Sequence, residues 1–144
     1  MADLRAIAYM STATAVVGDA MLETLLADAR TFNAKVSVTD VLFHRDGSFF
    51  QYLEGPQEGL RRAYGRVRAS TSHGRIVELL DSEIDQREFP EWHMGFSVAP
   101  LNGLLKLSQG SWSAARCRLE KSTSYKTDGI LFLHSFLRAQ RDGL

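Results

Sequence analysis

The sequence contains little cysteine and no long apolar run. Its single cysteine, Cys117, cannot form a disulfide within the chain. No stretch approaches the roughly 20 consecutive apolar residues that a membrane-spanning helix needs, and the N-terminus lacks a secretory signal pattern. These absences predict a cytoplasmic protein that does not cross or enter a membrane.

An excess of charge of either sign is also missing. The 17 lysine and arginine residues balance the 17 aspartate and glutamate residues, which argues against nucleic acid or an anionic membrane as a partner. The four histidines are scattered without the spacing of metal ligands, so no metal site is predicted. We find no phosphate-binding glycine loop and no nucleophile beside a base in a known motif. The chain is therefore not predicted to be an enzyme.

Apolar periodicity predicts the element order β-α-β-β-α-β-β. The first six elements follow the ferredoxin-like order, so we expect an α+β fold with a five-stranded mixed sheet and both helices on one face. The predicted strands cover residues 4–10, 36–44, 49–54, 76–80 and 94–98, and the predicted helices run from Asp19 to Asn33 and from Pro56 to the polar residues 70–74.

A tight turn is predicted between the second and third strands. Asp46-Gly47 suits a two-residue hairpin loop. With that loop length, Leu42 pairs with Gln51 and Asp40 pairs with Leu53. Paired residues share a face of a sheet, so Asp40 is expected on the same face as Gln51.

The last third of the chain is predicted to form a helical extension. Residues 130–138 are the most apolar segment and form a predicted helix that cannot stand alone in water. This helix must cover the bare face of the sheet or meet another subunit. We therefore divide the chain into a main domain, residues 1–98, and a C-terminal extension, residues 99–144.

Three polar residues, Tyr9, Asn33 and Gln51, are candidates for a binding site. Taken singly, each has an ordinary explanation: a core tyrosine with a solvated hydroxyl, a helix C-cap, and a glutamine bonded to backbone. Taken together, they surround the space between the two predicted helices, and such a slot suits a flat aromatic ligand. The two amides each offer a donor and an acceptor for the edge of such a ring.

Four segments resemble motifs of the BLUF family, the blue-light sensors that use a flavin. Residues 48–56, SFFQYLEGP, resemble the family signature F-x-Q-x-L-E-G-P. Residues 7–11, IAYMS, resemble its first-strand tyrosine motif, and residues 29–33, ARTFN, its helix-end asparagine motif. Residues 87–96, REFPEWHMGF, resemble the R-x-F-x-x-W-x-M segment near the last strand. The resemblance covers residues 3–98.

The resemblance implies a cofactor and a mechanism. The cofactor would be FAD, with FMN or riboflavin as alternatives, and Asn33 would bond its ring edge. Gln51 would bridge the flavin and Tyr9, Tyr9 would give up an electron and a proton under blue light, and Gln51 would then rotate or tautomerise. His73 is a further cofactor-binding candidate.

The resemblance also implies a route for the signal. Trp92 and Met94 would relay the change at Gln51, although residues of these types more often fill a core. Since no effector motif follows the domain, the signal would pass through protein–protein contacts. The partner would be an unidentified downstream protein or a second copy of the chain, and the candidate surface is residues 130–137.

Four positions depart from the family pattern. Phe32 and Ser72 replace residues that usually donate hydrogen bonds to the flavin, Asp40 replaces a glycine, and Met10 replaces an arginine. These departures leave a second hypothesis open, that the chain is an interaction module of the same fold with weakened or lost flavin binding. Four arginines are candidates for a substitute donor or a phosphate contact, and the alternative is that they only form a solvated face. They are Arg30, Arg66, Arg68 and Arg75.

Overall fold

In the computed structural model, four strands pair antiparallel, a short fifth strand pairs parallel at one edge, and the chain also forms two helices. The four antiparallel strands and the two helices confirm the predicted α+β, ferredoxin-like class. The structure describes residues 3–13, 19–45, 47–70, 73–89, 95–98 and Leu133. The elements are β1 (Leu4–Ala13), α1 (Asp19–Lys35), β2 (Thr39–Arg45), β3 (Ser48–Pro56), α2 (Gln57–Ala69), β4 (His73–Ile84) and β5 (Gly95–Val98).

The strands form one sheet in the order β4-β1-β3-β2-β5. β3 pairs antiparallel with both β1 and β2, and β4 pairs antiparallel with β1. β5 lies parallel to β2 at the other edge. The predicted helical extension over residues 99–144 lies outside the described residues except for Leu133 and stays a prediction.

The hairpin between β2 and β3 has the predicted register. Leu42 lies opposite Gln51, and Asp40 lies opposite Leu53. Gly47 has a positive φ of 79°, which glycine adopts at no steric cost in a two-residue turn. On the other side of β3, Tyr9 of β1 also lies opposite Gln51. Three neighbouring strands therefore place Tyr9, Gln51 and Leu42 in one row.

The sheet separates two apolar cores. Alternate residues of each strand point to opposite faces, so the helix-covered core and the opposite core draw on the same strands. The helix-covered core contains Ile7, Tyr9, Val38, Leu53, Leu60, Ala63 and Tyr64. The opposite core contains Ala6, Ala8, Val41, Phe43, Phe50, Tyr52, Phe89 and Leu133.

The bounds of β2 and β4 differ from the prediction for identifiable reasons. β2 begins at Thr39 rather than Val36 because α1 continues to Lys35 and Ser37 turns the chain with a positive φ of 62°. β4 runs from His73 to Ile84, well beyond the predicted residues 76–80. Pairing with β1 extends β4, and two register shifts in that pairing accommodate the extra length. Tertiary pairing thus overrides the polar composition at both ends of β4.

Candidate functional site

A cleft between α1 and α2 opens onto the row of polar side chains on the sheet. It encloses about 210 Å³. Tyr9, Asn33, Gln51 and His73, the four candidates from the sequence within the described residues, all line it. The rest of its lining comes from both helices and three strands: Ser11, Leu25, Leu26, Asp28, Ala29, Leu42, Phe49, Ala63, Arg66, Val67 and Ser70.

A buried hydrogen-bond chain runs along the base of this cleft. The Tyr9 hydroxyl donates to Oε1 of Gln51, and Nε2 of Gln51 donates to Oδ2 of Asp40 at 2.5 Å. All three residues are at most 3% exposed. The amide of Gln51 therefore has its partners, as a buried polar group requires, and one of these partners is a carboxylate.

The hydroxyl of Tyr9 is held in its protonated form. Burial first, and then the negative charge of Asp40, raise the pKa of Tyr9 well above its ordinary value. A phenol with so high a pKa does not ionise by itself at neutral pH.

A second tyrosine lies beside Tyr9. The rings of Tyr9 and Tyr64 have centroids 5.7 Å apart, and the Tyr64 hydroxyl donates to Oε1 of Glu78 at 2.8 Å. Burial first, and then the bond to Glu78, raise the pKa of Tyr64 above its ordinary value. Sequence periodicity does not indicate this pair, because only the pairing of Tyr9 with Glu78 across β1 and β4 brings the carboxylate to this place.

Asn33 acts at the end of α1 in two ways. Its backbone carbonyl accepts from the N–H of Val38 at 2.9 Å and of Val36 at 3.2 Å, but Asn33 is not the predicted C-cap, because α1 continues to Lys35 and the positive φ lies at Ser37. Its side chain lines the cleft, so the amide lies beside the space that a ligand would fill.

His73 is bonded to the protein on both sides of its ring. Nε2 lies 2.9 Å from the Val67 carbonyl oxygen, and Nδ1 lies 2.7 Å from the Ser11 hydroxyl. Because a carbonyl only accepts, Nε2 must carry a proton. The ring borders the cleft while its nitrogens join the end of α2 to β1, so its predicted role as a cofactor contact stays a prediction.

Two of the four departures from the family pattern lie away from the cleft. Phe32 packs with the helix-covered core, and the Arg66 guanidinium lies 4.4 Å from its ring centroid. Met10 packs against the opposite core. Arg66 itself borders the cleft and is exposed, so it places a positive charge at the edge of the site. Ser72, Trp92 and Met94 lie outside the described residues.

Glu54 ties the chain beyond β4 to the end of β3. Its carboxylate accepts from the N–H of Glu88 at 2.9 Å, the N–H of Phe89 at 2.5 Å and the hydroxyl of Tyr52 at 3.0 Å. Burial raises the pKa of Glu54, while its hydrogen bonds oppose that rise. This role was not predicted from the sequence, although Glu54 is part of the segment SFFQYLEGP that resembles the family signature.

Arg87 strengthens the same connection. Its guanidinium donates to the Ser37 carbonyl at 2.6 Å, the Glu54 carbonyl at 3.1 Å and the Thr39 hydroxyl at 2.9 Å. Arginine suits this position because its planar group offers five donors. Arg87 and Glu54 together fix the start of the segment that leads to β5.

The tyrosines provide a pH test of this geometry. Burial, the largest cause in each case, raises the pKa values of Tyr9, Tyr52 and Tyr64, three of the four tyrosines. We expect these three to stay protonated near pH 10, the ordinary tyrosine pKa. Since their pKa values are raised on folding, the stability they contribute is complete below about pH 10 and is lost as the pH rises through the folded-state values.

The measurement is an ultraviolet titration of tyrosinate combined with circular dichroism. The three signals should appear only as the protein unfolds in alkali. Ionisation of all four tyrosines near pH 10 in a folded protein would contradict the burial described here.

The described part of the chain offers no metal centre and no membrane-spanning helix. Among these residues, no group of three or more histidine, cysteine, aspartate or glutamate side chains could hold a metal ion. No helix among them is long and apolar enough to cross a membrane.

Comparison with known proteins gives consistent relatives. Residues 4–95 match the family model BLUF, described as sensors of blue-light using FAD. The chain is 31% identical over 90 residues to the photoactivated adenylate cyclase subunit beta of Euglena longa, covering 62% of this chain and 10% of that protein. It is 34% identical over 68 residues to the blue light- and temperature-regulated antirepressor BluF of Escherichia coli (strain K12), covering 47% of this chain and 17% of that protein.

Solved structures show the same fold over most of the chain. The dark-state structure of BlrB, a BLUF protein, matches with a TM-score of 0.71 at 22% identity, covering 97% of this chain and 98% of that one. The photo-activated state of BlsA matches with a TM-score of 0.69 at 24% identity, covering 93% and 94%. The match to the family model spans more than half of the chain. The chain therefore belongs to the BLUF family, the sensors of blue light that use FAD.

Proposed function

We propose that this chain binds FAD through its isoalloxazine ring in the cleft between α1 and α2 and signals blue light by rearranging hydrogen bonds at Gln51. The hydrogen bond from Tyr9 to Gln51 inside that cleft carries the proposal. It joins a redox-active side chain to an amide whose two ends differ in hydrogen-bonding sense. Those are the two components that a light-driven hydrogen-bond switch needs.

The residues present fit a flavin ring. The cleft of about 210 Å³ is smaller than the roughly 300–1,000 Å³ of a pocket that encloses a whole ligand. It therefore suits the flat ring system, with the phosphates and adenine outside. Apolar side chains of both helices would contact the faces of the ring, and the Asn33 amide would bond its edge. Arg66, at the border of the cleft, would meet the phosphates.

A bound flavin would supply the absorption of blue light and an electron acceptor. Tyr9 would give up an electron and its hydroxyl proton, and the proton would leave along the hydrogen bond to Oε1 of Gln51. Gln51 would then rotate or tautomerise, which exchanges donor and acceptor at both of its ends. The electron and a proton would return to Tyr9, so that the flavin regains its dark redox state. The ring edge would afterwards meet a different hydrogen-bond pattern, and the absorption band would shift to the red.

The output would pass through the sheet to the C-terminal extension. Phe50 and Tyr52 flank Gln51 along β3 and point into the opposite core, where Leu133 is fully buried. This burial favours a predicted helix at residues 130–138 that covers the bare face of this same chain. Trp92 and Met94, in the segment that Glu54 and Arg87 anchor, would complete the relay.

The partner of this sensor chain needs a proposal of its own. The chain spans about a tenth of the length of the photoactivated cyclase subunit that it matches. We propose that it acts in the cytoplasm on a protein partner or on a second copy of itself, without catalysing a reaction. Those contacts would be made by the extension, residues 99–144.

The second candidate function is an interaction module with weakened flavin binding. Two observations favour it: Phe32 packs away from the cleft, and both His73 nitrogens are bonded to the protein. A module of this kind would keep the fold and stay colourless after addition of FAD. Reconstitution of purified protein with FAD, FMN and riboflavin separates the two candidates, because the sensor binds a flavin and shifts its band under blue light.

Removing the Asn33 amide is expected to weaken flavin binding about tenfold. That factor corresponds to about 1.4 kcal/mol, within the net value of one or two hydrogen bonds. The measurement is quenching of flavin fluorescence on titration with Asn33→Ala protein. The matched control is Lys35→Ala, at an exposed position two residues further along. Unchanged affinity in Asn33→Ala would contradict the placement of the ring edge.

A further inference from the structure

The carboxylate of Asp40 lies fully buried at the end of the Tyr9–Gln51 hydrogen-bond chain. Asp40 is 0% exposed, and its Oδ2 accepts from Nε2 of Gln51 at 2.5 Å. The two residues lie diagonally across β2 and β3, since Asp40 is opposite Leu53 and Leu42 is opposite Gln51. Diagonal neighbours on one face are within reach of long side chains.

The chemistry of Asp40 decides which end of the Gln51 amide faces it. In its ionised form this carboxylate only accepts hydrogen bonds, and that form requires the N–H₂ end. The Tyr9 hydroxyl imposes no such choice, because a hydroxyl can donate or accept. With Nε2 committed to Asp40, Oε1 must face Tyr9, and this is the arrangement observed.

The reversed amide is disfavoured at the same place. Turning Gln51 end for end would set Oε1 against Oδ2, which brings two acceptors together without a hydrogen between them. It would also remove a charge-assisted hydrogen bond, which is about twice as strong as a neutral one. The two orientations of Gln51 are therefore unequal in energy before any ligand is considered.

We propose that Asp40 is a positioning residue that holds the Gln51 amide with its oxygen toward Tyr9 and thereby speeds the return from the light-induced state. The second half of this inference rests on the proposed function. It concerns the rate of return, whereas the proposed function concerns whether a light response exists at all. Asp40 touches Gln51 and acts on the flavin only through it.

The first experiment follows dark recovery after a blue flash in FAD-reconstituted protein. Asp40→Asn keeps the size of the side chain, but asparagine can donate as well as accept, so it tolerates both orientations of Gln51. We expect the variant to keep the red shift and to recover about tenfold more slowly than the parent protein, the factor that about 1.4 kcal/mol produces. Recovery at the parent rate would overturn the inference. The matched control, Asp85→Asn, removes the same charge from an exposed position and should recover like the parent protein.

The second experiment uses flavin-free protein labelled with ¹⁵N. The Gln51 side-chain amide protons should be shifted downfield and protected from exchange, unlike those of exposed Gln57. Asp40→Asn should move the Gln51 signals strongly, and Asp85→Asn should leave them in place. Gln51 signals in the unmodified protein that resemble those of Gln57 would overturn the inference.

The two experiments separate the inference from the proposed function. A protein that shows no light response but has protected, shifted Gln51 amide protons would contradict the proposed function and support the positioning role. A protein with a red shift whose recovery ignores Asp40→Asn would support the proposed function and contradict the positioning role. The magnetic resonance test on the unmodified protein also stands if the variant folds poorly.

Discussion

A Gln51→Ala variant is expected to lose the light-induced red shift of the flavin band completely. The Gln51 amide is the hydrogen-bond partner of the Tyr9 hydroxyl at the base of the cleft. An alanine methyl group neither donates nor accepts, so no exchange of donor and acceptor can follow the loss of an electron from Tyr9. The measurement is a difference spectrum, lit minus dark, of the FAD-reconstituted variant.

The matched control for this variant is Gln57→Ala. Gln57 is exposed at the first residue of α2 and has the same side chain outside the cleft. The control should keep the full shift. A Gln51→Ala protein with the red shift of the parent would place the spectral change on a group other than this amide.

A Gly59→Ala variant is expected to destabilise the domain by about 3 kcal/mol, the upper end of the usual cost of overpacking. A Cβ atom at Gly59 would lie 2.2 Å from the Val36 carbonyl oxygen. That atom belongs to the backbone between α1 and β2 and cannot turn aside as a flexible side chain would. α2 would have to move away from this connection, and the cleft between the helices would change shape with it.

Gly65→Ala in the same helix provides the control. Nothing lies within 4 Å of a Cβ atom built at Gly65. This substitution should stabilise the protein by about 0.5–1 kcal/mol, because alanine favours the helix over glycine. Urea unfolding of both variants tests the contrast. Equal changes in the free energy of unfolding would contradict the close approach of α2 to Val36.

Local patterns predicted the part of the site that lies on the hairpin. The Asp46-Gly47 loop set the register of β2 and β3, and that register put Asp40 and Gln51 on one face. This prediction held because a two-residue turn leaves few alternatives. In the structure Tyr9 shares the helix-covered face with Ile7, because the two residues are two positions apart in β1.

The partners of the polar side chains could not be predicted in the same way. Periodicity indicates which face a residue occupies, but it does not indicate which long-range neighbour it meets. Glu78 reaches Tyr64 only because β4 pairs with β1 through two register shifts. Asp40 was expected on the same face as Gln51, but the register alone did not indicate that the Gln51 amide donates to its carboxylate. The hydrogen bond from the Arg87 guanidinium to the Glu54 carbonyl also joins residues far apart in the chain, so periodicity did not indicate it.

The absorption spectrum of FAD-reconstituted protein, recorded in the dark and again under blue light, tests the central claim most directly. Tyr9, Gln51 and Asn33 line one cleft, and the account predicts a yellow protein whose flavin band shifts to the red and returns in the dark. A protein that takes up no flavin, or that binds a flavin whose band stays in place under blue light, would contradict it.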